Sequence, residues 1–285
     1  MQRNVETFLG CDAEYDESSI VIFGAPFDST TSYRAGARFG SRTMRAESYE
    51  IETYSPMLDR DLEDYKIFDG GDLELCFGDS QSALRDIETF VDRVLADWKL
   101  PFMLGGEHLV TLGAIRAVLK SFNDLAVIQF DAHADLRDDY LGARLSHATV
   151  MRRVHDLIGD GRLYQFGIRS GERAEFKFAA EHTHMQKFNF DGLTEVLDRL
   201  GARPIYLTID LDVMDPSAFP GTGTPEAGGV SYLELLSAAL MVLEKCHVVG
   251  CDLVELAPNY DPSGISTLTA LKLMREMLLK LSAGD

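Results

Sequence analysis

Short apolar runs of strand length alternate with longer segments of helical periodicity along most of the chain. The strand-like runs lie near residues 20–23, 66–69, 101–104, 126–130, 163–168, 185–188, 205–209 and 248–254. The helical patterns, with apolar residues three and four positions apart, occupy residues 84–98, 109–120, 147–158, 191–200, 231–245 and 264–281. Such alternation is typical of right-handed β-α-β units, and it predicts a three-layer α/β/α fold with a mainly parallel sheet.

Caps, loops and chain length complete this prediction of the fold. Ser231 and Asp191 precede helical patterns and are candidate N-caps. Residues 24–60 and 212–230, rich in Gly, Pro, Ser and Thr, are expected to form long loops that shape a pocket or subunit contacts. With 285 residues, 46% of them hydrophobic, and no linker or repeat, the chain is expected to form a single domain over residues 1–285.

Composition and charge argue against several locations and partners. No apolar run reaches the length of about 18 residues that a membrane helix needs. Residues 1–6 lack the basic and then apolar plan of a signal peptide, and four scattered cysteines indicate reduced thiols. We therefore expect a cytoplasmic protein. The formal net charge of −19 argues against binding to nucleic acid or to anionic membranes, because such binding depends on Lys and Arg.

Three clusters of acidic residues and histidines each follow directly on a strand-like run. They are Gly-Gly-Glu-His at 105–108, Asp-Ala-His-Ala-Asp at 131–135 and Asp-Leu-Asp at 210–212. Because alternate side chains of an extended backbone share a face, Asp131, His133 and Asp135 are expected on one side of the chain. By the same argument, Asp210 and Asp212 share a side. Since sites in α/β sheets form where parallel strands end, the clusters predict a metal site.

The chemistry of this ligand set favours manganese. Four carboxylates and two imidazoles, without a thiolate, could hold two divalent ions about 3.5–4 Å apart if some carboxylates bridge. Zinc tolerates the same groups, but its structural sites favour Cys, and no cysteine lies beside the clusters. Magnesium usually takes fewer protein ligands. The alternative is that each cluster is a solvated turn or a helix cap, and three clusters at three strand ends count against it.

Further motifs accompany the three clusters along most of the chain. They are Gly-Ala-Pro-Phe-Asp at 24–28 followed by Arg34, Gly36, Arg38 and Gly40, then Ser-His-Ala at 146–148, residues 210–225 and Asp-Leu-Val-Glu at 252–255. In this order the motifs resemble those of the ureohydrolases, the family that includes the arginases and the agmatinases, and the chain looks most like the agmatinase branch. The resemblance implies the arginase-like fold.

The resemblance also implies two Mn²⁺ ions per subunit. One ion would take His108, Asp131, Asp135 and Asp210, and the other would take Asp131, His133, Asp210 and Asp212. Asp131 and Asp210 would then bridge the two ions. A hydroxide that also bridges them would attack the guanidino carbon, since metal coordination lowers the pKa of water from about 15.7 towards neutrality.

The same resemblance implies roles for further residues. Glu255 would hydrogen-bond the guanidinium nitrogens of the substrate, and Thr224 would line that pocket. His147 would contact the substrate and carry a proton to the departing amine, a task that suits its ordinary pKa near neutrality. Asp135 or Asp212 could accept a proton during attack. Without the resemblance, Glu255 could equally be a strand-end ion-pair partner and His147 an exposed first-turn residue.

The implied reaction is hydrolysis of agmatine to putrescine and urea, a step of polyamine biosynthesis, in an enzyme that forms homo-oligomers such as trimers or hexamers. The loop at 136–146 lacks the asparagine pattern with which arginases hold the amino-acid end of arginine. Asp138 or Asp139 could favour a cationic tail, although pairing with Arg137 or Arg144 in a surface loop is the preferred interpretation. Guanidinobutyrate and arginine stay open as alternative substrates.

Two other functional classes are weighed against this one. A zinc deacetylase of related fold would need only an Asp-x-His and a distant Asp, so His108, Asp135 and Asp212 exceed its requirement. A silent relative that binds a polyamine or a protein as a regulator has no reason to keep six costly polar groups together. His182 and His184 lie outside every motif and are interpreted as surface groups.

Overall fold

One central β-sheet organises the chain, with helices on both of its faces. The computed structural model describes residues 1, 6–76 and 78–284. Its strands are β1 (Ile20–Ala25), β2 (Tyr54–Ser55), β3 (Arg60–Asp61), β4 (Ile67–Asp72), β5 (Leu100–Gly105), β6 (Ala126–Phe130), β7 (Leu163–Ile168), β8 (His184–Lys187), β9 (Pro204–Asp210) and β10 (His247–Val254). Its α-helices are α1 (Gly40–Glu47), α2 (Ser80–Ala96), α3 (Thr111–Ser121), α4 (Val150–Ile158), α5 (Arg173–His182), α6 (Leu193–Leu200), α7 (Tyr232–Lys245) and α8 (Ile265–Leu281).

Eight of these strands form the sheet, in the order β4-β1-β5-β10-β9-β6-β7-β8. All neighbouring strands in it run parallel. The strands β2 and β3 pair with each other as a short antiparallel ribbon. The strands that precede the three clusters, β5, β6 and β9, lie near the centre of the sheet, and β10 separates β5 from β9. The predicted parallel sheet is therefore confirmed.

The two faces of the sheet pack into two separate cores. Alternate residues of β6 face opposite cores, with Ile128 and Phe130 in the first and Val127 in the second. The first core contains buried side chains of α1, α6, α7 and α8, and the second contains those of α2, α3, α4 and α5. Because both faces are buried, the central strands are nearly continuous apolar runs in the sequence.

Two helices fall outside the predicted pattern. Helix α1 occupies part of the predicted loop at 24–60, and α5 lies between β7 and β8. Only Met44 among the large apolar side chains of α1 is buried, and only Ala179 among the apolar residues of α5. With so few buried apolar residues, neither helix has the periodic apolar face from which a helix is predicted.

Of the two predicted N-caps, that of Ser231 is confirmed and that of Asp191 is wrong. Ser231 accepts a hydrogen bond from the backbone N–H of Glu234, and the Glu234 carboxylate accepts one from the backbone N–H of Ser231. Helix α6 instead has Gly192 as its N-cap, with a φ of 79°. A backbone in this left-handed region favours glycine, so the helix begins one residue later than a cap at Asp191 would require.

The structure bears on the expectations about membrane helices and cysteines. Among the described residues, no helix combines the length and the hydropathy needed to cross a membrane. Residues 2–5, on which part of the expectation about a signal peptide rests, lie outside the described residues. Burial raises the pKa values of the Cys11 and Cys251 thiols well above the ordinary value for cysteine. Both sulfurs therefore stay protonated.

Candidate metal centre and active site

Four neighbouring strands of the sheet each lead into a residue of the predicted site. His108 follows β5, Asp131 follows β6, Asp210 ends β9 and Glu255 follows β10. None of these side chains is more than 5% exposed. The strand order therefore gathers residues that are far apart in the sequence at the carboxyl edge of the sheet.

The first group of potential ligands surrounds His108. Its Nδ1 lies 3.0 Å from Oδ2 of Asp131, 3.2 Å from Oδ2 of Asp135 and 3.5 Å from Oδ2 of Asp210. Ligand atoms of His108, Asp131 and Asp210 lie within 4.8 Å of one another, as a single metal ion requires. These four residues are the set predicted for one ion, and the structure brings them together.

The second group surrounds His133 and shares Asp131 with the first. His133 Nδ1 lies 3.0 Å from Oδ2 of Asp212 and 3.6 Å from Oδ1 of Asp131. Ligand atoms of Asp131, His133 and Asp212 also lie within 4.8 Å of one another. Because one oxygen of Asp131 faces each group, this carboxylate is placed to bridge two ions.

The hydrogen bonds behind His108 show that the cluster suits a cation. Thr208 donates its hydroxyl hydrogen to Oδ1 of Asp252 (2.6 Å), so its oxygen accepts from Nε2–H of His108 (2.9 Å). Nδ1 of His108 faces three carboxylates and makes no hydrogen bond with any described residue. Burial opposes protonation of this imidazole, but the three carboxylates raise its pKa well above the ordinary value, so the position favours a positive charge, either a proton or a metal ion. A lone pair that faces carboxylates is repelled unless a cation lies between them, which is the arrangement of a metal ligand.

The carboxylates of the cluster also disturb one another's ionisation. Burial, followed by the charge of Asp131, raises the pKa of Asp135 to about 7. Burial and the charge of Asp212 raise the pKa of Asp210 well above its ordinary value. Burial opposes ionisation of Asp131 too, but the neighbouring imidazoles of His108 and His133 hold its pKa below the ordinary value. Crowded, buried carboxylates of this kind require compensating positive charge.

Asp135 and Glu255 share an uncommon backbone conformation. Their φ values are 54° and 66°, in the left-handed region that side chains other than glycine rarely adopt. Glu255 accepts a hydrogen bond at Oε1 from the backbone N–H of His108 (2.7 Å). Burial and the nearby Glu107 carboxylate raise the pKa of Glu255 well above its ordinary value. Strain of this kind concentrates at functional sites, because the surrounding structure must hold it in place.

His147 lies in the short turn before α4 and faces the same cavity. Its Nε2 lies 3.1 Å from Oγ of Ser32, and its backbone N–H donates to Oγ1 of Thr30 (3.0 Å). Burial lowers the pKa of the imidazole to about 4. His147 is therefore neutral at pH 7, whereas its sequence suggested only a group titrating near neutrality.

Four of the six potential metal ligands and the other predicted residues line one cavity of about 270 Å³. Its walls include Ser32, His108, His133, Asp135, Arg137, Tyr140, His147, Glu172, Glu175, Asp210, Thr224 and Glu255. The hydroxyl of Thr224 lies 3.4 Å from Oδ2 of Asp212. All residues predicted for catalysis and substrate binding are therefore brought to one place.

The two acidic residues considered for tail recognition lie elsewhere. Asp138 pairs with Arg153 (2.6 Å) and Arg144 (3.7 Å), and Asp139 accepts from the backbone N–H of Gly142 (2.9 Å). Neither is among the residues that line the cavity. The preferred interpretation, ion pairing in a surface loop, describes Asp138, although its arginine partners are Arg144 and Arg153 rather than Arg137.

Two supporting groups of the site were not assigned a role from the sequence. Glu107 is buried and accepts hydrogen bonds from the backbone N–H and the hydroxyl of Thr30, which in turn holds the backbone of His147. Asp252 is buried and accepts from the hydroxyls of Thr208, Tyr206 and Thr111. Asp252 lies within the apolar run of β10, and that contrast is the signal by which it could have been found. Glu107 directly precedes the predicted ligand His108, and that position is its only local signal.

Comparison with known proteins identifies the class to which this fold and site belong. The model of the arginase family matches residues 18–280. The chain therefore belongs to the arginase family, and the resemblance predicted from its motifs is confirmed.

Similar proteins indicate which branch of the arginase family the chain resembles most. The chain is 48% identical over 277 residues to an agmatinase from Bacillus subtilis (strain 168), with 96% of each chain covered. A solved structure from Clostridium difficile, assigned provisionally as an agmatinase, is 51% identical, with 95% of this chain and 99% of that chain covered and a TM-score of 0.93. The agmatine ureohydrolase of Thermoplasma volcanium is 32% identical, with 98% and 94% covered and a TM-score of 0.89. The chain is thus a hydrolase of the agmatinase type, acting on a guanidino C–N bond.

Proposed function

We propose that this protein hydrolyses agmatine to putrescine and urea. The observation that carries the proposal is the pair of ligand groups that share Asp131 and open, beside the Glu255 carboxylate, into one cavity. The names of two similar proteins, agmatinase and agmatine ureohydrolase, support the same substrate.

The proposal includes two Mn²⁺ ions per subunit. His108, Asp131, Asp135 and Asp210 would hold one ion, and Asp131, His133, Asp210 and Asp212 would hold the other. The donor set supports manganese because hard carboxylate oxygens dominate it and it contains no thiolate. When bound, the ions would supply Lewis acidity and a water whose pKa is lowered towards neutrality.

Glu255 and Thr224 would position the guanidinium group. Oε1 of Glu255 accepts from the His108 backbone, so Oε2 stays available to a substrate N–H. Thr224 lines the same cavity next to Asp212. A planar cation held by the Glu255 carboxylate would thus lie against the ligand groups, and such orientation lowers the barrier to attack.

Asp135 and His147 would move protons. Asp135 lines the cavity beside His108, so its carboxylate could accept a proton from the attacking water. Neutral His147 could accept a proton and pass it to the departing amine, with the Ser32 hydroxyl 3.1 Å from its Nε2. Because burial lowers its pKa to about 4, His147 is neutral at pH 7 and would have to accept a proton before it could donate one.

The cavity wall supports a cationic substrate tail. Glu172 and Glu175 line it together with Arg137, whose Nη1 lies 2.8 Å from Glu172 and whose Nε lies 3.6 Å from Glu175. Two carboxylates for one guanidinium leave excess negative charge, which complements the amine of agmatine. Arg137 in the cavity wall keeps guanidinobutyrate as a second candidate substrate, because a guanidinium can bind a carboxylate tail through two hydrogen bonds.

Urea release from a panel of substrates tests the proposal. The Mn²⁺-loaded protein is given agmatine, arginine, guanidinobutyrate or guanidinopropionate, and a chelator-treated sample is the control. We expect release from agmatine and none from the control. Release from guanidinobutyrate alone would move the proposal to the second candidate, and release from none of the four would refute it.

We also propose one domain over residues 1–285 and a homo-oligomer, either a trimer or a hexamer. A single sheet with a core on each face supports one domain. Tyr33 and Leu141, which are 72% and 90% exposed, adjoin cavity-lining residues in the sequence and support self-association near the site. Sedimentation velocity over a range of protein concentrations measures the number of subunits.

A further inference from the structure

Two histidines and one aspartate converge at the edge of the sheet opposite the metal centre. His155 lies in the last turn of α4, Asp160 in the turn that leads to β7, and His182 ends α5 shortly before β8. His155 Nε2 and His182 Nδ1 lie 2.8 Å and 2.9 Å from the same oxygen, Oδ1 of Asp160. The three potential ligand atoms lie within 4.8 Å of one another.

Hydrogen bonds alone satisfy this cluster poorly. If both imidazoles donate to Asp160, His155 keeps a bare Nδ1 that is buried and has no hydrogen-bond partner among the described residues. Nε2 of His182 then points a lone pair towards Oε2 of Glu181, 3.9 Å away. In the opposite tautomers, Nε2–H of His182 faces the Glu181 carboxylate, and both histidines direct a lone pair towards Asp160. Two imidazole lone pairs and a carboxylate oxygen are a donor set for a divalent cation.

Aromatic packing holds the two imidazoles in place. The Phe178 ring lies edge-on to His155, with centroids 4.9 Å apart, and its centroid is 4.3 Å from that of His182. Asp160 is flanked by Gly159 and Gly161, whose φ values are 76° and 71°. The histidines are therefore fixed by packing, while the aspartate stands on an exposed turn that can adjust its distance to them.

We propose that His155, Asp160 and His182 form a second metal site, which takes a borderline divalent transition ion such as Zn²⁺. Zinc accepts imidazole nitrogen at about 2.0–2.1 Å and carboxylate oxygen at about 2.0–2.2 Å, and a water would fill its fourth position. Two of its three protein ligands are nitrogens, against two of six in the catalytic cluster, so Mn²⁺ has less preference for this site.

Occupancy of this site would tie the end of α4 to the end of α5. Helix α4 also reaches the catalytic loop, because the backbone N–H of Arg152 donates to the carbonyl of Asp135 (3.1 Å). A zinc ion at the opposite edge would therefore stabilise a helix that supports a ligand of the catalytic centre. It binds the folded chain and not the unfolded one, so it raises the melting temperature.

Zinc counting on the Mn²⁺-loaded protein tests the proposal. Wild type, Asp160→Asn and His182→Gln are dialysed against the same free Zn²⁺ concentration, and Zn and Mn per chain are measured by mass spectrometry. The matched control is His184→Gln, since His184 stacks on Tyr164 (4.6 Å between centroids) outside the cluster. We expect the two cluster variants to bind one zinc fewer than wild type and the control to bind the same number.

Measurements of melting temperature, folding and urea release complete the test. Zinc is expected to raise the melting temperature of wild type and of His184→Gln, and to raise it less in Asp160→Asn. Circular dichroism and urea release in Mn²⁺ alone check that each variant folds. Equal zinc counts in wild type and both cluster variants, or zinc gained only as manganese is lost, would overturn the proposed site.

Discussion

Thr208 links His108, a proposed metal ligand, to a buried carboxylate, and its replacement by valine tests how much this link contributes. The Thr208 hydroxyl accepts from Nε2–H of His108 and donates to Asp252. Both partners are buried, with exposed fractions of 1% and 0%. Valine has nearly the same shape, so Thr208→Val removes the hydroxyl without leaving a large cavity.

The magnitude follows from the groups left without a partner. His108 loses the acceptor that fixes its tautomer, and Asp252 keeps only the hydroxyls of Tyr206 and Thr111. A buried polar group without its partner costs about 1–3 kcal/mol. Loss of the hydrogen bond that orients a metal-binding histidine lowers metal affinity about 10- to 100-fold. We therefore expect the Mn²⁺ dissociation constant of Thr208→Val to rise by about 10- to 100-fold.

Equilibrium dialysis with Mn²⁺ measures this effect without relying on turnover. Thr208→Ser is the matched control, because serine keeps the hydroxyl and should keep wild-type affinity. A folding check by circular dichroism accompanies each variant. If Thr208→Val binds manganese as tightly as wild type, the argument that the Asp252–Thr208 pair orients His108 is wrong.

Three further outcomes follow from the described contacts. Glu255→Gln keeps an oxygen for the His108 backbone but loses its charge, so agmatine KM should rise about 10- to 100-fold while manganese content stays unchanged; loss of metal instead would contradict a role limited to the substrate. Thr30→Val removes the hydroxyl that holds the His147 backbone, so kcat should fall by up to about 100-fold with KM little changed, and an unchanged kcat would refute that positioning role. Arg45→Met leaves the carboxylates of Asp69 and Asp72 without their guanidinium, so the free energy of unfolding measured in urea should fall by about 3–5 kcal/mol. A fall of less than about 1 kcal/mol would show that these ion pairs are dispensable.

The sequence predicts the sheet well because its strands are buried on both faces. Each central strand is an apolar run, and β1 shows the rule with all six of its residues buried. The helices α2, α3 and α7 bury periodic apolar faces and were predicted for that reason. The helices α1 and α5 bury few apolar side chains, so their place is set by tertiary contacts that no local pattern contains.

In the candidate site, the potential metal ligands could be predicted from the sequence, but the residues that support them could not. Its six potential metal ligands lie in short motifs at strand ends, so their convergence could be predicted once a parallel sheet was assumed. Their support comes from partners more than 70 residues away, as with Thr30 and Glu107 or Thr208 and His108. Such pairings depend on the strand order, and the lowered pKa of His147 depends on burial. Neither is encoded in any local pattern.

The central claim is that two ligand groups sharing Asp131 form one centre for two ions, and a count of manganese per chain tests it most directly. Protein stripped with chelator is dialysed against buffered Mn²⁺, and bound metal and urea release from agmatine are measured on the same samples. We predict two manganese ions per chain at full activity, and near-complete loss of both activity and metal in Asp131→Asn. Full activity with a single ion, or an Asp131→Asn variant that keeps two ions and turnover, would contradict the account.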